Sequence, residues 1–336
     1  MGKTVIAIVG PTATGKSALA ARLARVLPGE VLSCDSMQIY RGMDIGTAKA
    51  GAEERQGAPH HLLDLRQPWE SFTVADFQRL AREAADAVLL RGKTPVLAGG
   101  TGLYVDSVVY NYEYKPEDDT EKARVEAGFR ALLQKPGDGG GKEALWTLLT
   151  QADPGSAQRL HPNDTKRIIR ALAYRQIHGQ PISENTAAST ARAMVYPVLW
   201  LGLQLPRDLL YRRIDQRVDE MMAAGLLGEV AGLRERGLRG DSQAGQAIGY
   251  KQLLAFLDGA CGLEEAVDAI KRESRRYAKR QMTWYRGHPN ILWLDGQKVP
   301  EKDFAQDFAL LFHQTGEGEE ESAFAAFFRA EGLLYD

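Results

Sequence analysis

The segment that most restricts the fold is Gly10-Pro11-Thr12-Ala13-Thr14-Gly15-Lys16-Ser17, set between Thr4-Val5-Ile6-Ala7-Ile8-Val9 and Ala18-Leu19-Ala20-Ala21-Arg22-Leu23-Ala24. The first flank is apolar and rich in β-branched residues, and Gly10-Pro11 breaks it, which predicts a buried strand entering a tight loop. The second flank consists of helix formers, with Leu19 and Leu23 four apart on one face. Strand, glycine loop, Lys-Ser and helix in that order make a phosphate loop. Gly10 and Gly15 allow the backbone N–H groups of the loop, including those at Thr12, Ala13 and Thr14, to close around phosphate oxygens. Lys16 adds a mobile positive charge, and the Ser17 hydroxyl is placed to bind Mg²⁺. A chance glycine turn would have neither flank. Such a loop recognises a diphosphate or triphosphate head and does not by itself name the ligand.

Further strands are expected at Glu30–Cys34, Pro95–Ala98, Tyr196–Leu203 and Ile291–Leu294. Helical material over Val74–Leu90 separates two of them, as parallel pairing requires. The fold class that follows is α/β, a parallel sheet like that of P-loop nucleoside triphosphate hydrolases, carrying a helical insertion. The insertion is expected over 112–196, where Glu121–Leu133, Lys142–Leu149 and 164–178 have helical composition around the flexible Gly137–Gly141. Residues 1–111 form the first part of the core, 197–300 complete it and add a basic helical region, and 301–336 form an acidic extension. Helical patterning runs through 207–286, with breaks near Gly237–Gly245 and Gly259–Gly262.

Composition narrows the setting. A chain of 336 residues can bury one large core and a smaller second one. No apolar run approaches the roughly 18 residues of a membrane span. The N-terminal apolar stretch is too short for a secretory signal. With only Cys34 and Cys261, a reducing cytoplasm is expected, with no membrane association and a monomeric state. The net charge of −2 hides an asymmetry: residues 301–336 hold nine acids and two bases, while Lys271–Arg286 holds seven bases and one acid. That strip can attract phosphates locally, although an ordinary exposed helix can look the same.

Asp35 directly follows the second strand, and Gly99-Gly100-Thr101-Gly102 directly follows the third. Ligands of open parallel sheets bind beyond the carboxyl ends of the strands, so Asp35, Thr101 and Ser17 can approach one crevice. Taken alone, Asp35 could equally cap a helix or hold a structural metal, and Gln38 could be an ordinary turn residue.

The ordered set Gly10–Ser17, Asp35–Tyr40, Asp44-Ile45-Gly46-Thr47-Ala48-Lys49, Gly99–Tyr104, Ala247-Ile248-Gly249-Tyr250-Lys251 and Tyr277-Ala278-Lys279-Arg280-Gln281-Met282-Thr283-Trp284 resembles the bacterial tRNA dimethylallyltransferase family across roughly residues 3–294. The resemblance implies transfer of a dimethylallyl group from dimethylallyl diphosphate to N6 of adenosine 37 in tRNA, with diphosphate released and Mg²⁺ as cofactor. By the same resemblance, Asp35 is the general base, Thr101 holds the reacting amine or a donor oxygen, and Arg217 joins Lys16 on the leaving diphosphate. The implied tRNA contacts are Ser36 and Gln38, then Lys166, Arg167 and Arg170 of the insertion, and Arg275, Arg276, Lys279, Arg280 and Gln281 of the basic strip. Without the resemblance, Arg217 reads as a surface salt bridge beside Asp215 and Asp219. The chain departs from the family pattern at Ala50, Ala173, Gln252 and Ser274, none of them an implied catalytic position. Competing readings are an adenylate prenyltransferase, a small-molecule P-loop kinase, and an RNA-binding module that makes no product.

Overall fold

Val5, Ala7 and Val9 pack to one side of a sheet and Ile6 and Ile8 to the other, the period-two consequence of an extended chain. Every residue of this strand, β1 (Val5–Val9), is fully buried, which places it in the interior of a sheet covered on both faces. The computed structural model describes residues 4–115, 118–135, 139–187, 193–300, 303–315 and 320–335. Five more strands follow: β2 (Gly29–Ser33), β3 (His60–His61), β4 (Thr94–Ala98), β5 (Val198–Gln204) and β6 (Ile291–Asp295). Among the described residues these six strands pair with one another in parallel, in the order β3-β2-β4-β1-β5-β6. The α/β class and parallel sheet expected from the sequence are present. β3 escaped the sequence reading because two residues carry no periodicity. β5 begins at Val198, later than Tyr196, since Pro197 has no N–H to give to a ladder.

Three helices serve the first half of the sheet: α1 (Lys16–Val26) after the phosphate loop, α2 (Val74–Leu90) and α3 (Gly102–Val109). Thr73 and Asp76 form a reciprocal capping box that starts α2. The chain then divides into two compact units, one comprising Met1–Tyr110 with Met194–Asp336 and the other Asn111–Ala193. Tyr196, placed in the insertion by the sequence reading, falls in the larger unit, where its hydroxyl donates to Asp86 of α2 at 2.8 Å.

The smaller unit contains α4 (Asp119–Gln134), α5 (Gly141–Ala152), the short α6 (Pro154–Ala157), α7 (Thr165–His178) and α8 (Ile182–Ala187). Leu145 and Leu149 of α5 pack on Ile168, Ile169 and Leu172 of α7, with Phe129 and Leu133 of α4 around them. Asp153 is fully buried but satisfied, accepting from Ser156 N and Oγ at 2.9 and 2.7 Å and from Ser183 N at 3.1 Å. Ala173 is buried in α7, where a glutamate would have to bury its charge. Part of Gly137–Gly141 lies outside the described residues.

The larger unit resumes with α9 (Arg207–Ala223), α10 (Leu226–Glu235), α11 (Tyr250–Leu257) and the long α12 (Leu263–Tyr285), which packs on α9, α11 and α3. The acidic extension is folded: α13 (Ala305–Gln314) and α14 (Glu320–Ala330) bury Phe304, Phe308, Phe324 and Phe328 against the face of the sheet that carries α1. Arg22 of α1 lies 4.6 Å over the Phe304 ring and donates to Val299 O at 3.1 Å. Tyr335 N donates to Trp293 O at 2.9 Å and Asp295 N to Leu333 O at 2.8 Å, so the chain end pairs with edge strand β6. Of the acidic run 317–321, which the sequence suggests is a solvated connection, 317–319 lie outside the described residues and Glu320 opens α14.

Candidate active site

The phosphate loop leaves the carboxyl end of β1 through Gly10, whose φ of +134° is open to glycine and whose Cα packs so closely that a Cβ would lie 2.5 Å from Leu203 O. Ala13 takes a left-handed φ of 63°, a conformation found in anion nests, but the Thr12 N–H, expected to face phosphate, donates instead to Gln281 Oε1 at 2.9 Å because α12 brings that amide against the loop. Thr14 Oγ1 donates to Pro11 O at 2.9 Å, and Lys16 Nζ donates to the same carbonyl, so the loop is braced internally. Ser17 is exposed on the first turn of α1.

Two other strand ends reach the same place. Asp35 follows β2, and its Oδ1 accepts from Met37 N at 2.9 Å, which fixes the carboxylate without neutralising it. Thr101 follows β4 and caps the backbone entry to α3; its Oγ1 accepts from Ser36 N at 3.2 Å, joining the two loops. The three loops wall one cavity of about 780 Å³, together with Arg217 of α9 and Tyr277 and Gln281 of α12. A second cavity of about 280 Å³ shares Thr12, Asp35, Arg217 and Tyr277 with the first and is lined further by Ile214, Val218, Leu226, Ile248 and Ile270. Asp35 therefore stands at the junction of a polar chamber and a more apolar one.

The charges perturb one another. Burial lowers the Lys16 ammonium to about 7, nearby Arg217 reinforces the shift, and Asp35 opposes it. Burial raises the Asp35 carboxyl above its ordinary range against the pull of its backbone hydrogen bonds, Lys16 and Arg217. Burial likewise pushes the Tyr277 hydroxyl up to about 12, with Asp35 adding to the effect. The salt-bridge reading of Arg217 fails on its neighbours. Asp215 pairs with Arg275 and Asp219 with Lys271 at 2.6 Å, while Arg217 lines both cavities.

The residues singled out as tRNA contacts divide. Lys166, Arg167 and Arg170 are exposed on α7, with Arg167 3.4 Å from Asp164. On α12, Arg276, Lys279 and Arg280 are exposed; Arg276 pairs with Glu273 at 2.5 Å, and Arg280 lies 5.6 Å over the Tyr277 ring and lines the second cavity. Ser36 lines that cavity too. Three of the expected contacts are otherwise engaged. Arg275 is ion-paired to Asp215. Gln38 accepts from Ser33 Oγ at 2.8 Å and donates to Thr47 O and Ala48 O at 3.1 and 3.3 Å, so its amide holds the 44–49 loop. Gln281 is 5% exposed and spends its amide on Thr12 N and Gly100 O, at 2.9 and 3.0 Å. The interior offered both glutamines backbone partners that sequence spacing does not reveal.

Glu229 of α10 was not anticipated at all. Its carboxylate accepts from Asp44 N, Ile45 N and Gly46 N at 2.9, 2.8 and 3.2 Å and from the Tyr250 hydroxyl at 2.5 Å. A side-chain anion thus fills a backbone nest and pins the loop that walls both cavities. Lys49 holds the other end of that loop through Asp44 and Asp64, at 2.6 and 2.7 Å. Among the departures from the family pattern, Ala50 lines the larger cavity, Ser274 lines the smaller one, and Gln252 Oε1 accepts from Gly249 N at 2.9 Å at the start of α11.

A sequence model described as IPP transferase matches residues 38–288. The chain is 47% identical over 302 residues to the tRNA dimethylallyltransferase of Geobacillus thermodenitrificans, covering 90% of this chain and 93% of that protein. It is 46% identical over 291 residues to the protein of the same name in Bacillus subtilis, covering 87% and 90% of the two chains. The crystal structure of a full-length tRNA isopentenylpyrophosphate transferase from Bacillus halodurans superposes with a TM-score of 0.66 at 42% identity, over 96% of this chain and 99% of that one. A eukaryotic dimethylallyltransferase acting on tRNA superposes with a TM-score of 0.74 at 27% identity, over 92% and 78% of the two chains.

Proposed function

The chain belongs to the IPP transferase family, and from that premise we infer that it catalyses the tRNA dimethylallyl transfer for which its relatives are named. We further propose dimethylallyl diphosphate as donor and N6 of adenosine 37 as acceptor. The observation that carries this reading is Asp35, which lies where the phosphate-loop cavity meets the more apolar one. A donor with its diphosphate on the loop and an extruded base in the second cavity would bring their reacting atoms together beside that carboxylate.

The adenine amine attacks C1 of the dimethylallyl group while the C1–O bond breaks and its electron pair leaves on the diphosphate. Asp35 takes the amine proton as the C–N bond forms, and burial makes it a better base than an ordinary carboxylate. Lys16 and Arg217 meet the charge that accumulates on the departing oxygens. Thr101, proposed to hold the reacting amine or a donor oxygen, is not among the residues that line either cavity; its hydroxyl joins its own loop to the one bearing Asp35. The exposed bases of α7 and α12 would hold tRNA phosphates, which position the substrate without reading its sequence.

Mg²⁺ fits as a companion of the diphosphate. Among the described residues there is no group of three or more His, Cys, Asp and Glu that could cage an ion, whereas the exposed Ser17 hydroxyl and substrate phosphates suit an ion that keeps several waters. Bound there it would neutralise diphosphate charge. Among the described residues no helix is long and apolar enough to cross a membrane.

The test supplies purified protein with Mg²⁺, labelled dimethylallyl diphosphate and unmodified tRNA bearing adenosine 37, and reads nucleosides by mass. N6-dimethylallyl adenosine and diphosphate are the expected products. Their absence with tRNA, or comparable turnover of AMP, would overturn the assignment.

A further inference from the structure

The two halves of the proposed chemistry sit on separate loops, so something must fix the phosphate loop relative to the loops bearing Asp35 and Thr101. One face of α12 makes that connection. Gln281 Oε1 accepts from Thr12 N at 2.9 Å, and its Nε2 donates to Gly100 O at 3.0 Å. Each end of the carboxamide meets the only kind of partner it can use, so its orientation is determined. The approach is close: a Cβ on Gly100 would stand 2.0 Å from Nε2, so this contact needs glycine there. One turn earlier on the same face, Tyr277 lines both cavities, and its hydroxyl lies beside the side chains of Gln281 and Thr101. Thr101 Oγ1 in turn accepts from Ser36 N, next to Asp35. Gln281 thus ties Thr12 to Gly100, Thr101 ties that loop to Ser36, and Tyr277 stands between the two ties.

We propose that Tyr277 and Gln281 are positioning residues that clamp the phosphate loop to the acceptor-side loops and so set the spacing of donor and acceptor; this rests on the function proposed above. Gln281 is turned inward for this role: its amide meets Thr12 N and Gly100 O, and the residue is 5% exposed. The clamp is sensitive because a displacement of about 1 Å between reacting groups can cost about 100-fold in rate.

The experiment compares Gln281→Met, which keeps volume and removes both hydrogen bonds, and Tyr277→Phe, which removes one hydroxyl, singly and together. Single-turnover transfer, tRNA affinity, inorganic diphosphate affinity and thermal unfolding are measured on each full-length protein. Transfer should fall about 10–100-fold in each single variant. The double variant should fall little further, because both substitutions loosen the same face of α12. The half-saturating donor concentration should rise in Gln281→Met, with tRNA affinity within about twofold of the parent. Weakened tRNA binding with unchanged chemistry would return Gln281 to the tRNA surface and overturn the clamp. Full rates in the folded fraction of a destabilised variant would make both residues merely structural, and additive losses would separate them into independent contacts. If the unsubstituted protein prenylates no tRNA, the functional reading fails on its own. The clamp is then judged by inorganic diphosphate affinity, which should still fall in Gln281→Met, and an unchanged value would overturn it.

Discussion

Lys16 gives the most quantitative prediction, because its charge is both the donor-binding group and the group that burial destabilises. Its ammonium is lowered to about 7 by burial, with Arg217 adding to the shift. A bound diphosphate supplies the missing counter-charge and returns the amine toward its ordinary pKa of about 10.4. At pH 8.5 about 3% of the free protein carries the proton, so donor binding should take up about one proton per site. The sign follows: affinity is constant below 7 and falls as pH rises, by about 15-fold between pH 7 and 8.5 and approaching tenfold, or about 1.4 kcal/mol, per unit beyond. Titration calorimetry with dimethylallyl diphosphate in two buffers of different ionisation enthalpy reads the uptake directly. Lys16→Arg keeps a fixed charge and should show neither the uptake nor the slope, which also removes any contribution from the donor's own phosphates. Equal heats in both buffers, with an affinity flat from pH 7 to 9, would refute the claim that burial has uncharged this lysine.

Asp35→Asn keeps size and removes the base, so single-turnover transfer should drop about 10²–10⁴-fold while donor and tRNA still bind, and the parent rate should fall as acid protonates its raised carboxyl. Glu229→Gln should loosen the 44–49 loop, lowering kcat about tenfold and stability by about 1–3 kcal/mol in denaturant unfolding; unchanged values would show that the three N–H groups need no anion. Replacing Arg276, Lys279 and Arg280 together should weaken tRNA binding and flatten its salt slope by up to about one per lost phosphate contact, with donor affinity kept. Phe308→Ala should cost about 3–5 kcal/mol and lower Tm, since Phe308 is fully buried against Phe324 at 4.8 Å; a neutral result would mean that α13 and α14 add nothing to the fold.

The sequence alone determined whatever depends on neighbours along the chain. Backbone geometry ties the phosphate loop to the strand before it and the helix after it, and the spacing from Gly10 to Ser17 is local. The helix over Val74–Leu90 is likewise specified by its own Thr73–Asp76 cap and apolar spacing, and the position of Asp35 and Thr101 in the loops that leave β2 and β4 was legible from the strands just before them. Tertiary structure decided what depends on partners distant in sequence. Arg217 faces the cavities because α12 supplies Arg275 and Lys271 to the two aspartates beside it. Gln281 looked like a tRNA contact among its basic neighbours, yet its helix turns that position inward onto Thr12 and Gly100. Glu229 carried no signal, since a glutamate in an amphipathic helix is ordinary until Asp44–Gly46, more than 180 residues earlier, presents three N–H groups to it. The acidic extension has the same explanation. Its charge suggested solvent, but its phenylalanines, spaced along two helices, found the apolar face of α1 and β6 and buried there. Composition counts charges, and only the packed fold decides which side chains lose their water.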